Sequence, residues 1–394
     1  WQEFEGLAWP SRKEESWRFG SPAESQVDAE NLAAGGASCS NLPAVEGALR
    51  FVFENNELVE QPASVPEGLL ALPLAQALSE HEELLRELLP PLQGKLGSRK
   101  LAALHRAKCD NGLVLHAGSG VAVEALIEIV HVVSGEATVL PNVLIGAADG
   151  AKLRVLERFV SANGSDATPV VAVSDVMVED GAALTYLVTQ DLNDKSKLIR
   201  LTDSRVGKGA DSKVASIHIG GYWAREETYS TVHGDECKSE ILSITVPTTG
   251  QEYDQRTFQH HAVGHAVSDL LYKNTLFGEA KTVFSGLIFV DEGAHHTDAY
   301  QTCRNLLMSD VCEATSMPGL EINADQVKCS HGSTSSRVSD TEIFYLQARG
   351  ISRHNAEVLV ARGFSVEVVE RLQDEALEAV MLAAVDEKFR RVEG

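Results

Sequence analysis

The chain has 394 residues, 44% of them hydrophobic, and a formal net charge of −23, which allows a sizeable core and two or three domains. Acidity on this scale excludes a nucleic-acid partner, which a basic patch would serve, and without an apolar run of about 18 residues no transmembrane helix is expected. Six cysteines, Cys39, Cys109, Cys237, Cys303, Cys312 and Cys329, are scattered without close pairs, the usage of reduced thiols in a cytoplasmic compartment; the start at Trp1 rather than Met leaves open a longer precursor with a targeting segment.

Residues 1–100 read as an irregular, partly helical region. Residues 33–38 form a small-residue loop, and residues 74–89 carry apolar positions at helical spacing until Pro90-Pro91 ends them. From about residue 101 to 336 the texture changes to short β-branched runs separated by turns. The pairs Gly150-Ala151, Gly181-Ala182, Gly209-Ala210 and Gly234-Asp235 lie 31, 28 and 25 residues apart, and Gly278-Glu279 and Gly293-Ala294 mark further turns. One turn signature per drifting period predicts a mainly β solenoid, a β-helix whose coils each hold two or more strands. The helices that a doubly wound α/β fold needs between strands are missing; a β-sandwich is the alternative.

Residues 337–394 read as a helical domain. Ser339 and Glu342 have capping-box spacing, Gly350 stops the first helix, Ser352 caps a second that Gly363 ends, and a last helix runs through Val368, Val369, Leu372, Ala376, Val380, Val385 and Phe389. A β-helix has two open ends with strand edges to protect. Helical material at both termini is expected to cover them.

The stretch LEINADQVKCSHGSTS at 320–335 puts a thiol and an imidazole two residues apart in strand-like sequence. In an extended strand Cys329 and His331 share a face, while Val327 falls out of phase with Leu320 and Ile322, which places a corner near Asp325. Thiolate and imidazole suit iron, zinc or an iron–sulfur cluster. A closed site needs two more ligands, and nothing nearby supplies them, so another chain facing this strand is expected to complete a site whose metal or cluster ligands here are His331 and Cys329. The competing explanation makes Cys329 a small buried hydrophobe and His331 a backbone hydrogen-bonder.

Other chemistry is weaker. The adjacent pairs His260-His261 and His295-His296 point to opposite faces if extended, and His261 with His265 lacks an HExxH context. There is no Walker A motif, GxSxG or dinucleotide fingerprint, so no intrinsic nucleotide site is expected and no residue is assigned a catalytic role. The carboxylate pairs Asp235-Glu236 and Asp291-Glu292 would suit a β-helix polysaccharide-active enzyme, but the chain's charge would repel an acidic polysaccharide.

The segments GEAKTVFSGLIFVDEGAHHTDAYQTCRNLLMSD (278–310) and LEINADQVKCSHGSTSSRVSDTEIFYLQARGIS (320–352) closely resemble the core of the SufB/SufD family of iron–sulfur cluster assembly proteins. The CSHG form at Cys329–Gly332 and the chain length are similar to the SufD type rather than SufB. GLAWPSRKEESWRF (6–19) resembles the family's opening, with Ala8 and Trp9 inserted before Pro10, and the Asp254 to Thr257 spacing looks like the family's Asp-x-x-Thr turn. The resemblance implies a right-handed parallel β-helix with helical N-terminal and C-terminal regions. It further implies a non-catalytic scaffold that pairs with a SufB-like paralogue or with itself, docks a SufC-like ATPase on its helical C-terminal end, and shares a nascent iron–sulfur cluster at the subunit interface. A SufB-like or homodimeric scaffold remains the competing form.

Overall fold

The computed structural model describes residues 1–36, 42–92 and 94–393; Cys39 and the end of the loop expected at 33–38 lie outside the described residues. Successive strands alternate between two sheets, one of ten strands and one of nine, so that each coil contributes one strand to each sheet. From residue 113 onward the strands within each sheet pair in parallel, in unbroken register over up to ten residues. The result is a parallel β-solenoid of about eight turns, with a side-chain-filled interior.

The repeat is set by a left-handed backbone position at one corner. Gly120, Gly150, Gly181 and Gly209 occupy it in the early coils at φ between 61° and 72°, and Glu236, His265, His296 and Gln326 occupy it in the later ones at φ between 57° and 61°. A residue with a Cβ is disfavoured there. This explains why the glycine signature fades after residue 209: the corner persists while its residue type changes, and Gly234 and Gly293 stand near it without filling it. The corner expected near Asp325 is present, between the strands Glu313–Ile322 and Lys328–Arg337, with Gln326 at its left-handed position.

The first hundred residues contribute strands as well as helices. Leu49–Glu54 joins the ten-stranded sheet parallel to Ile127–Val133 and pairs with Glu57–Glu60 in a hairpin, while Leu69–Pro73 closes the other sheet antiparallel to Leu113–Ala117. Non-parallel pairing and a hairpin therefore close this end of the solenoid. The helix expected over 74–89 is two, Leu74–Glu80 and Glu82–Leu88, broken at His81 by an extended φ of −136°.

The C-terminal helices do not cover the other end. Ala361, Val368, Leu372, Leu377, Met381, Val385 and Phe389 pack on the outer face of the ten-stranded sheet, against Leu156, Leu187, Ile217, Leu242, Ile244 and Leu271. Ion pairs Arg154–Asp374 (2.9 Å), Lys273–Glu367 (2.6 Å) and Arg371–Asp269 (2.5 Å) rim that contact. Gly350 does stop the first of these helices, at φ 85°, and the Ser352 hydroxyl caps the second by accepting from the Asn355 amide at 3.2 Å. Ser339 precedes the helix Asp340–Gln347 without a side-chain capping bond. Gly363 does not end the second helix, which runs Arg353–Glu370. An interior glycine weakens a helix by only about 1 kcal/mol, less than the burial of Ala361, Val368 and Val369 around it returns. The break falls at Gln373, φ 54°, so Val368, Val369 and Leu372 precede the final helix Glu375–Glu393.

Candidate functional site

Cys329 and His331 lie on the last strand, Lys328–Arg337, which pairs on one side with Asp298–Leu307 and has no strand on its other edge among the described residues. Register fixes their direction. Cys329 stands over Ala299, Ser268, Ser239 and Ser212, and His331 over Gln301, Leu270, Ile241 and Val214, all of them buried. Because side chains at matched positions of parallel strands share a face, both residues stand at the mouth of the solenoid interior, side by side as the i, i+2 spacing predicts.

Their environments differ. Cys329 is half-buried against the cluster of Ile288, Val290, Ala294 and Ala299, and desolvation pushes its thiol pKa up, partly offset by the Ala299 backbone. His331 is exposed. Among the described residues no group of three or more His, Cys, Asp or Glu side chains comes together around a common point. The raised pKa keeps the packed Cys329 thiol protonated beside the exposed His331 imidazole.

Beneath them the interior is polar, a feature that residue spacing did not reveal. Gln301 lies directly under His331 and has its Nε2 3.4 Å from Gln259 Oε1; Gln259 Nε2 and the His261 ring both meet Ser268 Oγ, at 2.9 and 2.7 Å. A Cβ on Gly286 would come within 2.4 Å of Gln301 Nε2, so glycine there gives Gln301 its room. Deeper in, Arg200 Nη1 donates to Glu226 at 2.6 Å, and Ser216 and the His218 ring meet the other carboxylate oxygen at 2.9 and 3.0 Å. Burial alone would raise the Glu226 pKa, but His218 and Arg200 hold it down at about 2. The sequence clue was present: in Lys197–Val206 the positions sharing a face with Leu198 and Val206 are Arg200, Thr202 and Ser204, polar where a core strand should be apolar.

The pair His260-His261 separates as its spacing suggests: His260 points outward to Asp291, 2.8 Å away, and His261 inward to Ser268. His265 and His296 lie tilted with ring centroids 4.6 Å apart on the solenoid corner. Asp254 and Thr257 lie inside the strand Glu252–His261 rather than in a turn, and the Asp254 carboxylate receives both Arg225 and Arg256. Asp235 pairs with Lys208 at 3.1 Å.

Comparison with known proteins covers both the solenoid and this site. The family described as SUF system FeS cluster assembly, SufBD core domain, matches residues 130–364. The chain is 28% identical over 398 residues to the iron–sulfur cluster assembly protein SufD of Escherichia coli K12, covering 96% of this chain and 89% of that protein. It is 27% identical over 394 residues to SufD of Bacillus subtilis 168, covering 95% and 88%, and 24% identical over 386 residues to a SufBD family protein of Synechocystis, covering 93% and 84%.

Proposed function

The chain belongs to the SufBD core family of the SUF iron–sulfur cluster assembly system, and from that membership we propose that it is a SufD-like scaffold subunit without turnover of its own. In this reading it pairs with a SufB-like paralogue along the strands Glu313–Ile322 and Lys328–Arg337 and takes ATPase activity from a SufC-like partner. The nascent cluster is cargo, held at the interface by His331, with Cys329 as second ligand, and by residues of the facing subunit. The observation that carries the reading is the coincidence, on one strand, of an edge with no partner strand among the described residues and an inner-face thiol and imidazole side by side. Five free cysteines among the described residues support a reducing, cytoplasmic setting. The helix Asp340–Gln347 supports the ATPase contact, because it holds the adjacent Phe344 and Tyr345 70% and 57% exposed, an apolar surface that a partner would cover.

The test is co-expression with SufB-like and SufC-like partners, followed by anaerobic assay of iron and acid-labile sulfide in the purified complex. His331→Ala is expected to leave the three proteins co-eluting and to lose most of the iron and sulfide, and Cys329→Ser to lose part. Unchanged cluster content in an assembled His331→Ala complex would overturn the ligand assignment. A chain that elutes only with itself and carries cluster would instead identify a homodimeric scaffold.

A further inference from the structure

Between the N-terminal helices and the outer face of the nine-stranded sheet lies a cavity of about 190 Å³. Its two halves differ in chemistry. Leu74, Leu89 and Leu92 form an apolar wall, while Asn142, Asp175 and Asp203 project from the sheet opposite. Asp175 and Asp203 are register partners on adjacent strands, so two carboxylates stand about 5 Å apart, and they are only 4% and 7% exposed.

Two of the polar groups on the sheet wall are incompletely matched among the described residues. Asp175 is met by Arg106 at 3.9 Å, beyond hydrogen-bond reach, because the Arg106 Nη1 is given to the Pro90 carbonyl at 2.8 Å. Burial pushes the Asp175 pKa up to about 7, as expected of a carboxylate without an adequate counter-charge. Asn142, 7% exposed, has an Oδ1 with no hydrogen-bond partner. Glu227, a third carboxylate on the lining, is already committed to Ser98 Oγ at 2.6 Å and Arg225 Nε at 2.7 Å. Asp175 has the Arg106 guanidinium only at ion-pair distance and Asn142 Oδ1 has no partner, so a charged donor seated between them would hydrogen-bond both, and the opposite wall calls for a hydrocarbon body.

We propose that this cavity is a binding site for a small organic cation, a primary ammonium carried on a single ring or short hydrocarbon body. The size agrees: an apolar cavity of about 150 Å³ takes benzene, so the present volume holds a ring and a short arm reaching the carboxylates. A bare metal ion fits poorly, because no group of three or more metal-ligating side chains converges among the described residues and the leucine wall offers it nothing. An anionic ligand is repelled by Asp175 and Asp203. The mouth lies at the exposed residues Leu78, Pro91 and Gly94, and a ligand seated there would tie the N-terminal helices to the sheet. The proposal stands apart from the cluster-scaffold reading, since the cavity opens on a lateral face and Cys329 and His331 lie on the terminal coil.

The experiment titrates the full chain calorimetrically with phenethylamine as the ammonium, 2-phenylethanol as a neutral counterpart of similar shape, and 3-phenylpropionate as the anion. The ammonium is expected to bind about ten- to a hundredfold more tightly than the alcohol, as charge-assisted hydrogen bonds give, and the anion not at all. Asp175→Asn should erase the preference for the ammonium. Leu78→Trp, a change at an exposed position that narrows the mouth without touching the core, should abolish binding of both. Equal affinity for ammonium and alcohol, binding of the anion, or no saturable binding of the ammonium by the folded wild type would each overturn the proposal.

Discussion

Replacing Trp17 by alanine should unfasten the N-terminal segment without unfolding the solenoid. Trp17 is fully buried, its Nε1 donates to the Gly97 carbonyl at 3.0 Å, and the Arg225 guanidinium lies 3.5 Å from its ring centroid. The same guanidinium donates to the carbonyls of Ser16 at 3.1 Å and Leu96 at 2.6 Å, so one arginine of the sheet holds two pieces of N-terminal chain. Truncating a buried tryptophan costs about 3–5 kcal/mol, and a desolvated cation–π contact accounts for about 2 of that. The segment's other ties anchor its two flanks: Lys100 donates to the carbonyls of Phe4 and Leu7 at 2.7 and 2.6 Å, and Lys197 to that of Gln26 at 2.9 Å. Near Trp17 itself the Ser21–Glu252 contact at 2.9 Å is of the kind that contributes about 1 kcal/mol, too little to make up the loss. Because solenoid stability is close to a sum over neighbouring units, the loss should appear locally. Hydrogen exchange followed by mass spectrometry should show fast exchange over residues 14–20 and 96–99 in Trp17→Ala, with Val267–Leu276 as protected as in the wild type. Unchanged exchange in the N-terminal segment, or equal loss of protection in that distant strand, would refute the reasoning.

Two further outcomes follow from the interior and the corner. The depressed Glu226 pKa, about 2 against the usual 4.5, means that its ion pairs stabilise the fold fully above pH 4.5 and lose that effect as pH falls toward 2, a contribution on the order of 3 kcal/mol. Glu226→Gln should therefore be less stable than wild type by denaturant unfolding at pH 6, with the gap narrowing by pH 3; a gap independent of pH would contradict this. At the left-handed corner, Gly181 has φ +65° and open space where a Cβ would stand, so Gly181→Ala should destabilise by about 1 kcal/mol through backbone conformation alone, and a neutral effect in the same assay would show that the corner tolerates any residue.

The parts legible in the sequence were those encoded locally. Turn residues recur once per coil, Val327 falls out of phase next to a corner, and Gly350 and Ser352 punctuate helices by rules that act over four residues. What stayed hidden depends on partners far away along the chain. Arg225 meets Trp17 across more than two hundred residues, and the pairing of Arg200 with Glu226 is visible only once two strands are in register. The glycine period faded because Glu236, His265, His296 and Gln326 take up a left-handed conformation that their type does not advertise. The C-terminal helices read as caps because their apolar stripes announce burial without saying against what; the partner is the outward Leu and Ile series of the ten-stranded sheet. At the candidate site, the shared face of Cys329 and His331 was a matter of strand period alone, whereas their place at the mouth of the interior required the register with Ala299 and Gln301.

That placement explains why such a site belongs on a terminal coil. In a solenoid every inward side chain is roofed by the next coil, as Gln301 is by His331, so only the last coil combines an inner face with access from outside. Its edge, with no partner strand among the described residues, is also open to pairing with another chain. On the proposed reading, a second β-helix adding strands there would satisfy that edge and bring its own side chains over Cys329 and His331 in the same act, so that dimerisation and ligand assembly would be one event. Register then governs the chemistry. A slip of one residue in the added strand would turn its facing side chains to the opposite side, and a slip of two would carry a ligand about 7 Å along the strand, beyond the roughly 2 Å at which nitrogen or sulfur binds metal. Cluster binding should thus report on interface register as sharply as on ligand identity, and substitutions along the edge that leave Cys329 and His331 in place can still empty the site.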